Sequence, residues 1–162
     1  MPPRRKAAAS SSSSKKQKVA EPEPVDDGSH PSVVLIGMRG AGKTHLGRAC
    51  AAALGATFID LDEAYEKQHG KIMETVKSEG WPVFRQREVA LLQSTLTESP
   101  TGCVIACGGG IVETEEGRER LKAHWPVVQA CKPIDEIETY LGFDSTRPDL
   151  GEPPRSASGA IP

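Results

Sequence analysis

The residues Gly37-Met38-Arg39-Gly40-Ala41-Gly42-Lys43-Thr44 follow the spacing G-x-x-x-x-G-K-[ST], the pattern of a loop that cradles a polyphosphate. Glycines let the backbone curl until its N–H groups converge on phosphate oxygens, and a helix starting there points the positive end of its dipole at the same anions. Gly37, Gly40, Ala41 and Gly42 form the cradle. Lys43 is placed to reach the β- and γ-phosphates, and Thr44 to offer its hydroxyl to Mg²⁺. The pattern predicts binding of a nucleoside triphosphate such as ATP together with Mg²⁺.

Further polar residues stand where strands are expected to end. Asp60 and Asp62 close Thr57-Phe58-Ile59-Asp60-Leu61-Asp62, and two acids two apart can divide their work between a metal and a substrate hydroxyl. Read alone, such a pair is more often a helix N-cap and a surface acid. Gly108-Gly109-Gly110 follows an apolar run and removes every side chain from a turn. A ligand or another backbone can then approach closely, although a floppy loop has the same composition. Arg85 follows Gly80-Trp81-Pro82, where a guanidinium can grip a carboxylate with two parallel hydrogen bonds or serve as a surface ion-pair partner. Arg147 lies in a polar segment after Gly142, as the arginine of a mobile lid would.

Alternating elements must hold these groups. Val33-Val34-Leu35-Ile36 reads as a buried strand ahead of the loop. Leu46, Ala49, Cys50, Ala53 and Leu54 recur at helical spacing behind it, which predicts one apolar stripe ending near Gly55. Residues 57–60 read as a second strand, 102–107 as a third and 127–131 as a fourth. Helices are expected over about 62–69, 72–79, 83–96, 114–122 and 134–141, with Val89, Leu92 and Leu96 on one face. The order predicts an α/β fold, a three-layer parallel sheet with helices on both faces and the ligand at the carboxyl ends of the strands.

The chain of 162 residues carries a net charge of −2, but the charge is unevenly placed. Residues 1–20 hold Arg4, Arg5, Lys6, Lys15, Lys16 and Lys18 without an acid, and four acids follow within 21–27. Two basic clusters across a polar spacer read as a nuclear-import signal or as a solvated charge run, able to touch nucleic-acid phosphates non-specifically. Residues 1–31 are expected to be a disordered tail, with the domain spanning 32–148 and a flexible tail over 149–162. No stretch approaches membrane-spanning length and no sequence-specific DNA-binding motif is present. Cys50, Cys103, Cys107 and Cys131 lack paired ligand spacing and are expected to be reduced core thiols. His45, His69 and His124 are scattered and are expected at the surface or an edge.

Taken in order, GMRGAGKT, FIDLD, GWPVFRQRE, CGGGIVE and STRP resemble the shikimate kinases, most closely the corresponding region of fungal multifunctional AROM proteins. The resemblance implies the P-loop fold of the nucleoside-monophosphate-kinase type and transfer of the ATP γ-phosphoryl to the 3-hydroxyl of shikimate. It casts Lys43, Asp60 and Arg147 as catalytic residues and Thr44 and Asp60 as the metal-side groups. Asp62, Arg85, Gly108, Gly109 and Gly110 become the substrate-binding residues. The family continues beyond its lid through a second carboxylate-binding arginine, a strand and a helix. Nothing after Arg147 resembles that segment, so an incomplete clamp and poor turnover are expected.

A basic tail ahead of such a domain is also similar to the AROM-related fungal quinate-pathway repressor. That likeness implies a nuclear regulatory module sensing shikimate or a related metabolite, with an import receptor and a transcription activator as partners. The alternative is a cytoplasmic shikimate kinase.

Overall fold

A computed structural model describes residues 30–143. Four strands, β1 (Val33–Ile36), β2 (Thr57–Asp60), β3 (Cys103–Ala106) and β4 (Val127–Gln129), form one sheet in the order β2-β3-β1-β4. Every pairing is parallel, with Val34 opposite Ile105 and Leu35 opposite Val128. The two central strands are the most apolar, as burial on both faces demands. Their alternation divides the core: Val34, Cys103 and Ile105 face one layer, Leu35 and Val104 the other. The register starts from a buried anchor. Ser32 donates its hydroxyl to the Ser99 carbonyl at 2.7 Å and accepts from the Cys103 N–H at 3.2 Å, tying the entrance of β1 to that of β3.

Helix α1 (Lys43–Leu54) covers the Leu35 face. The expected stripe is only partly right: Leu46, Ala49 and Ala53 are exposed, Cys50 and Leu54 are half-buried, and the buried positions are Gly47 and Ala51. The helix lies so close to the sheet that a Cβ on Gly47 would run into the Phe58 ring and stand 3.1 Å from Leu35 Cδ1. Close approach favours the smallest residues at the contact, and Leu46 is turned outward while Cys50 and Leu54 pack at its margin.

The other face carries α2 (Leu61–His69), α3 (Ile72–Glu79), α4 (Trp81–Glu98) and α5 (Glu115–Lys122), followed after β4 by α6 (Ile134–Phe143). Leu61, Tyr65, Phe84, Val89, Leu92 and Ile111 anchor this larger core. Helix α4 begins two residues before its expected start, because Pro82 in the first turn loses no intrahelical hydrogen bond. Strand β4 ends at Gln129 rather than 131, and Cys131 is exposed, not a core thiol. Cys103 and Cys107 are buried and Cys50 is half-buried. His45 and His69 are exposed, while His124 is half-buried with Nε2 2.6 Å from the Ser32 carbonyl. Among the described residues no helix is long and apolar enough to cross a membrane. His30 and Pro31, expected to belong to the tail, contact the fold: the His30 carbonyl accepts from the Gly102 N–H at 3.0 Å and Pro31 bridges Thr101. The rest of the expected tails and the lid residue Arg147 lie outside the described residues.

Candidate active site

The loop between β1 and α1 is shaped by its glycines. Gly40 and Gly42 adopt φ of 83° and 86°, in the left-handed region that favours glycine. Gly37 packs on the backbone leaving β4, where a Cβ would collide with the Ala130 carbonyl oxygen. Lys43 folds back over the loop and donates from Nζ to the carbonyls of Gly37 at 2.9 Å and Met38 at 3.0 Å. Its ammonium is therefore held above the cradle.

Asp60 terminates β2 and joins two elements. One oxygen, Oδ1, caps α2 by accepting from the N–H groups of Asp62 at 3.1 Å and Glu63 at 3.5 Å. The other, Oδ2, accepts from the Thr44 hydroxyl at 2.8 Å. The helix-cap reading of Asp60 is met by one oxygen of its carboxylate, and the other faces Thr44. Two hard oxygen donors at the mouth of a phosphate loop suit Mg²⁺, which takes few protein ligands and completes its shell with phosphate and water.

The triple glycine is where the remaining groups converge. A Cβ on Gly108 would strike Glu88 Oε1 and stand 2.9 Å from Asp62 Oδ1. One on Gly109 would stand 3.0 Å from the Arg39 amide nitrogen in the phosphate loop. On Gly110 it would fall on the Arg85 guanidinium. The turn is not a floppy loop: an acid and a guanidinium occupy the space of side chains missing at 108 and 110, and the phosphate loop packs tightly against 109.

Arg85 is an ion-pair partner, but a largely buried one, with a side chain 14% exposed. Its Nη1 donates to Glu88 Oε2 at 2.8 Å, and its Nε and Nη2 reach Glu113 Oε2 at 3.1 and 2.9 Å. The rings of Trp81 and Phe84, each centred 5.2 Å from Cζ, hold the guanidinium plane by cation–π contact. Burial raises the Glu88 carboxyl above its ordinary value, against the opposing pull of Arg85. Burial, reinforced by the Glu88 charge, also pushes the Cys107 thiol far up, so it stays protonated and is no nucleophile.

The structure brings together the phosphate loop, Lys43, Thr44, Asp60, Asp62, Arg85 and the three glycines. Sequence reasoning missed Glu88 and Glu113, the two acids that hold Arg85. The signal for Glu88 was its place three residues after Arg85 within a helical segment, where the two side chains share a face. Glu113 gives no such signal, because its pairing with Arg85 spans 28 residues.

Comparison with known proteins agrees with this arrangement. A model of the shikimate kinase family matches residues 39–159. The chain belongs to the shikimate kinase family. Among solved structures it is similar to the shikimate kinase of Acinetobacter baumannii in complex with shikimate, at 34% identity and a TM-score of 0.69, covering 75% of this chain and 67% of that one. The shikimate kinases of Bacteroides thetaiotaomicron (29% identity, TM-score 0.68, 76% and 70% covered) and Aquifex aeolicus (28%, 0.64, 75% and 72%) superpose comparably. The fold is that of a P-loop kinase, and the family's cofactors are ATP and Mg²⁺.

The Glu88 environment predicts a pH dependence. Because the folded state binds the Glu88 proton more tightly than the unfolded chain, its contribution to stability is complete below the ordinary value of 4.5 and is lost as pH rises through the raised value. In urea titrations from about pH 4.5 to neutrality, Glu88→Gln should therefore show a flatter stability profile than wild type. Identical profiles would place the titration elsewhere.

Proposed function

We propose that this domain transfers the γ-phosphoryl group of ATP to the 3-hydroxyl of shikimate. The observation that supports it best is the packing at Gly108 to Gly110, where a carboxylate-binding guanidinium and an acid sit beside the phosphate loop. A small anionic polyol needs those two groups: a cationic clamp for its carboxylate and an acid to orient its hydroxyl. Arg85 is the clamp and Asp62 the hydroxyl-orienting acid, with the three glycines admitting the ring. Lys43 neutralises the β- and γ-phosphates, and Thr44 and Asp60 hold Mg²⁺, which screens charge on the transferred group when bound. Arg147 is assigned to the lid from its sequence context alone.

The test is ADP release with ATP, Mg²⁺ and shikimate. Release should depend on shikimate, and Lys43→Ala should weaken ATP affinity by at least about tenfold, equivalent to ~1.4 kcal/mol. Release that ignores shikimate, or equal ATP affinity in the two proteins, would reject the assignment.

A second reading is favoured by one feature, the paired basic clusters of residues 1–20. In it the domain is the metabolite-sensing part of a nuclear regulator related to the quinate-pathway repressor and to AROM proteins, with an import receptor and a transcription activator as partners. A fluorescent fusion of residues 1–31 should then concentrate in the nucleus, and replacing either cluster with alanine should disperse it. An even distribution with both clusters intact would leave a cytoplasmic kinase.

A further inference from the structure

Arg85 is held by two carboxylates of different character. Glu88 lies one turn along the same helix, with a side chain only 4% exposed, and is buried against Nη1. Glu113 arrives from the turn after the triple glycine with a side chain 64% exposed. It takes the opposite edge of the guanidinium, where one oxygen accepts from both Nε and Nη2. That edge is one of the two at which a guanidinium can bind a carboxylate with parallel donors. The other edge includes the Nη1 that Glu88 engages.

We propose that Glu113 is a resident stand-in for the substrate carboxylate, occupying the Nε/Nη2 edge of Arg85 until an incoming carboxylate displaces it. This inference rests on the proposed function, because it concerns the same clamp. Three features of the turn suit the exchange. The Glu113 main chain is fixed, with its N–H donating to the Gly110 carbonyl at 2.9 Å and its carbonyl accepting from Arg118 Nη1 at 3.1 Å. Rotation of the side chain therefore suffices, and no loop need move. An ion pair whose carboxylate is open to solvent is screened enough to be exchanged for another carboxylate. Electrostatics then forces the exchange, since Glu88 and Glu113 already give one guanidinium two negative partners and a third carboxylate beside both is repelled.

The occupied edge keeps the guanidinium paired and oriented before substrate arrives, at the cost of competing with it. Selectivity follows, because a ligand must bring a carboxylate able to take over that edge. A neutral ligand leaves Glu113 in place.

Calorimetry on the full chain separates the possibilities, using shikimate and its uncharged methyl ester as probes against wild type and Glu113→Gln. The variant should bind shikimate about two- to fivefold more tightly, the equilibrium equivalent of removing a solvent-screened ion pair. Methyl shikimate and ATP should bind both proteins equally. Equal or weaker shikimate binding by Glu113→Gln would overturn the stand-in role while leaving the proposed function intact. An equal gain for the ester would overturn it too, because a change in packing rather than in charge would be responsible. Shikimate binding by neither protein, with ATP still bound, would overturn the proposed substrate and this inference together.

Discussion

Three successive residues without Cβ atoms set the geometry of the site. Side chains at 108 and 110 would occupy the space taken by Glu88 and by the Arg85 guanidinium, and one at 109 would press on the backbone of the phosphate loop. Strand β3 lies between β2 and β1, so the turn that leaves it stands beside both the Asp60 end and the phosphate loop. Glycine there draws α4, which carries Arg85 and Glu88, against that junction. A parallel sheet gathers its strand ends at one edge, and the missing side chains let the groups there come within contact of one another.

Electrostatics explains why the arrangement is stable enough to persist. A buried guanidinium is tolerated when its donors are satisfied, and Arg85 meets two carboxylates and two aromatic faces. A buried carboxylate is costly, and the raised Glu88 titration registers that cost. Glu88 still leaves Oε1 without a hydrogen-bond partner among the described residues. Burial of Glu88 thus opposes part of the attraction between the pair, as expected where position matters more than stability.

Much of this was legible before the fold was known. The phosphate loop could be read because its chemistry is local: glycines, a lysine and a hydroxyl at fixed offsets between a strand and a helix. The double duty of Asp60 was half visible, since an acid before a helix is a cap on local grounds, whereas its contact with Thr44 depends on β2 and α1 meeting in space. On α1, hydrophobic periodicity counts Leu46 as buried, whereas the contact with the sheet is close enough to favour Gly47. The apolar residues around it place Cys131 in a strand by sequence, but the ladder ends at Gln129 once β1 has run out at Ile36. Glu113 was invisible for a different reason: its role exists only after the glycine turn brings residues 85 and 113 together.

The most direct measurement on the central claim is the steady-state kinetics of Gly110→Ala. Gly110 has no positive φ, so alanine is admissible to the backbone, and the atoms nearest the added methyl all belong to the Arg85 guanidinium. If the missing side chain positions the carboxylate clamp, the KM for shikimate should rise by about tenfold or more, as for loss of a charged contact of roughly 1.5–3 kcal/mol, while the KM for ATP stays within about twofold. Unchanged KM values for both substrates would contradict the account.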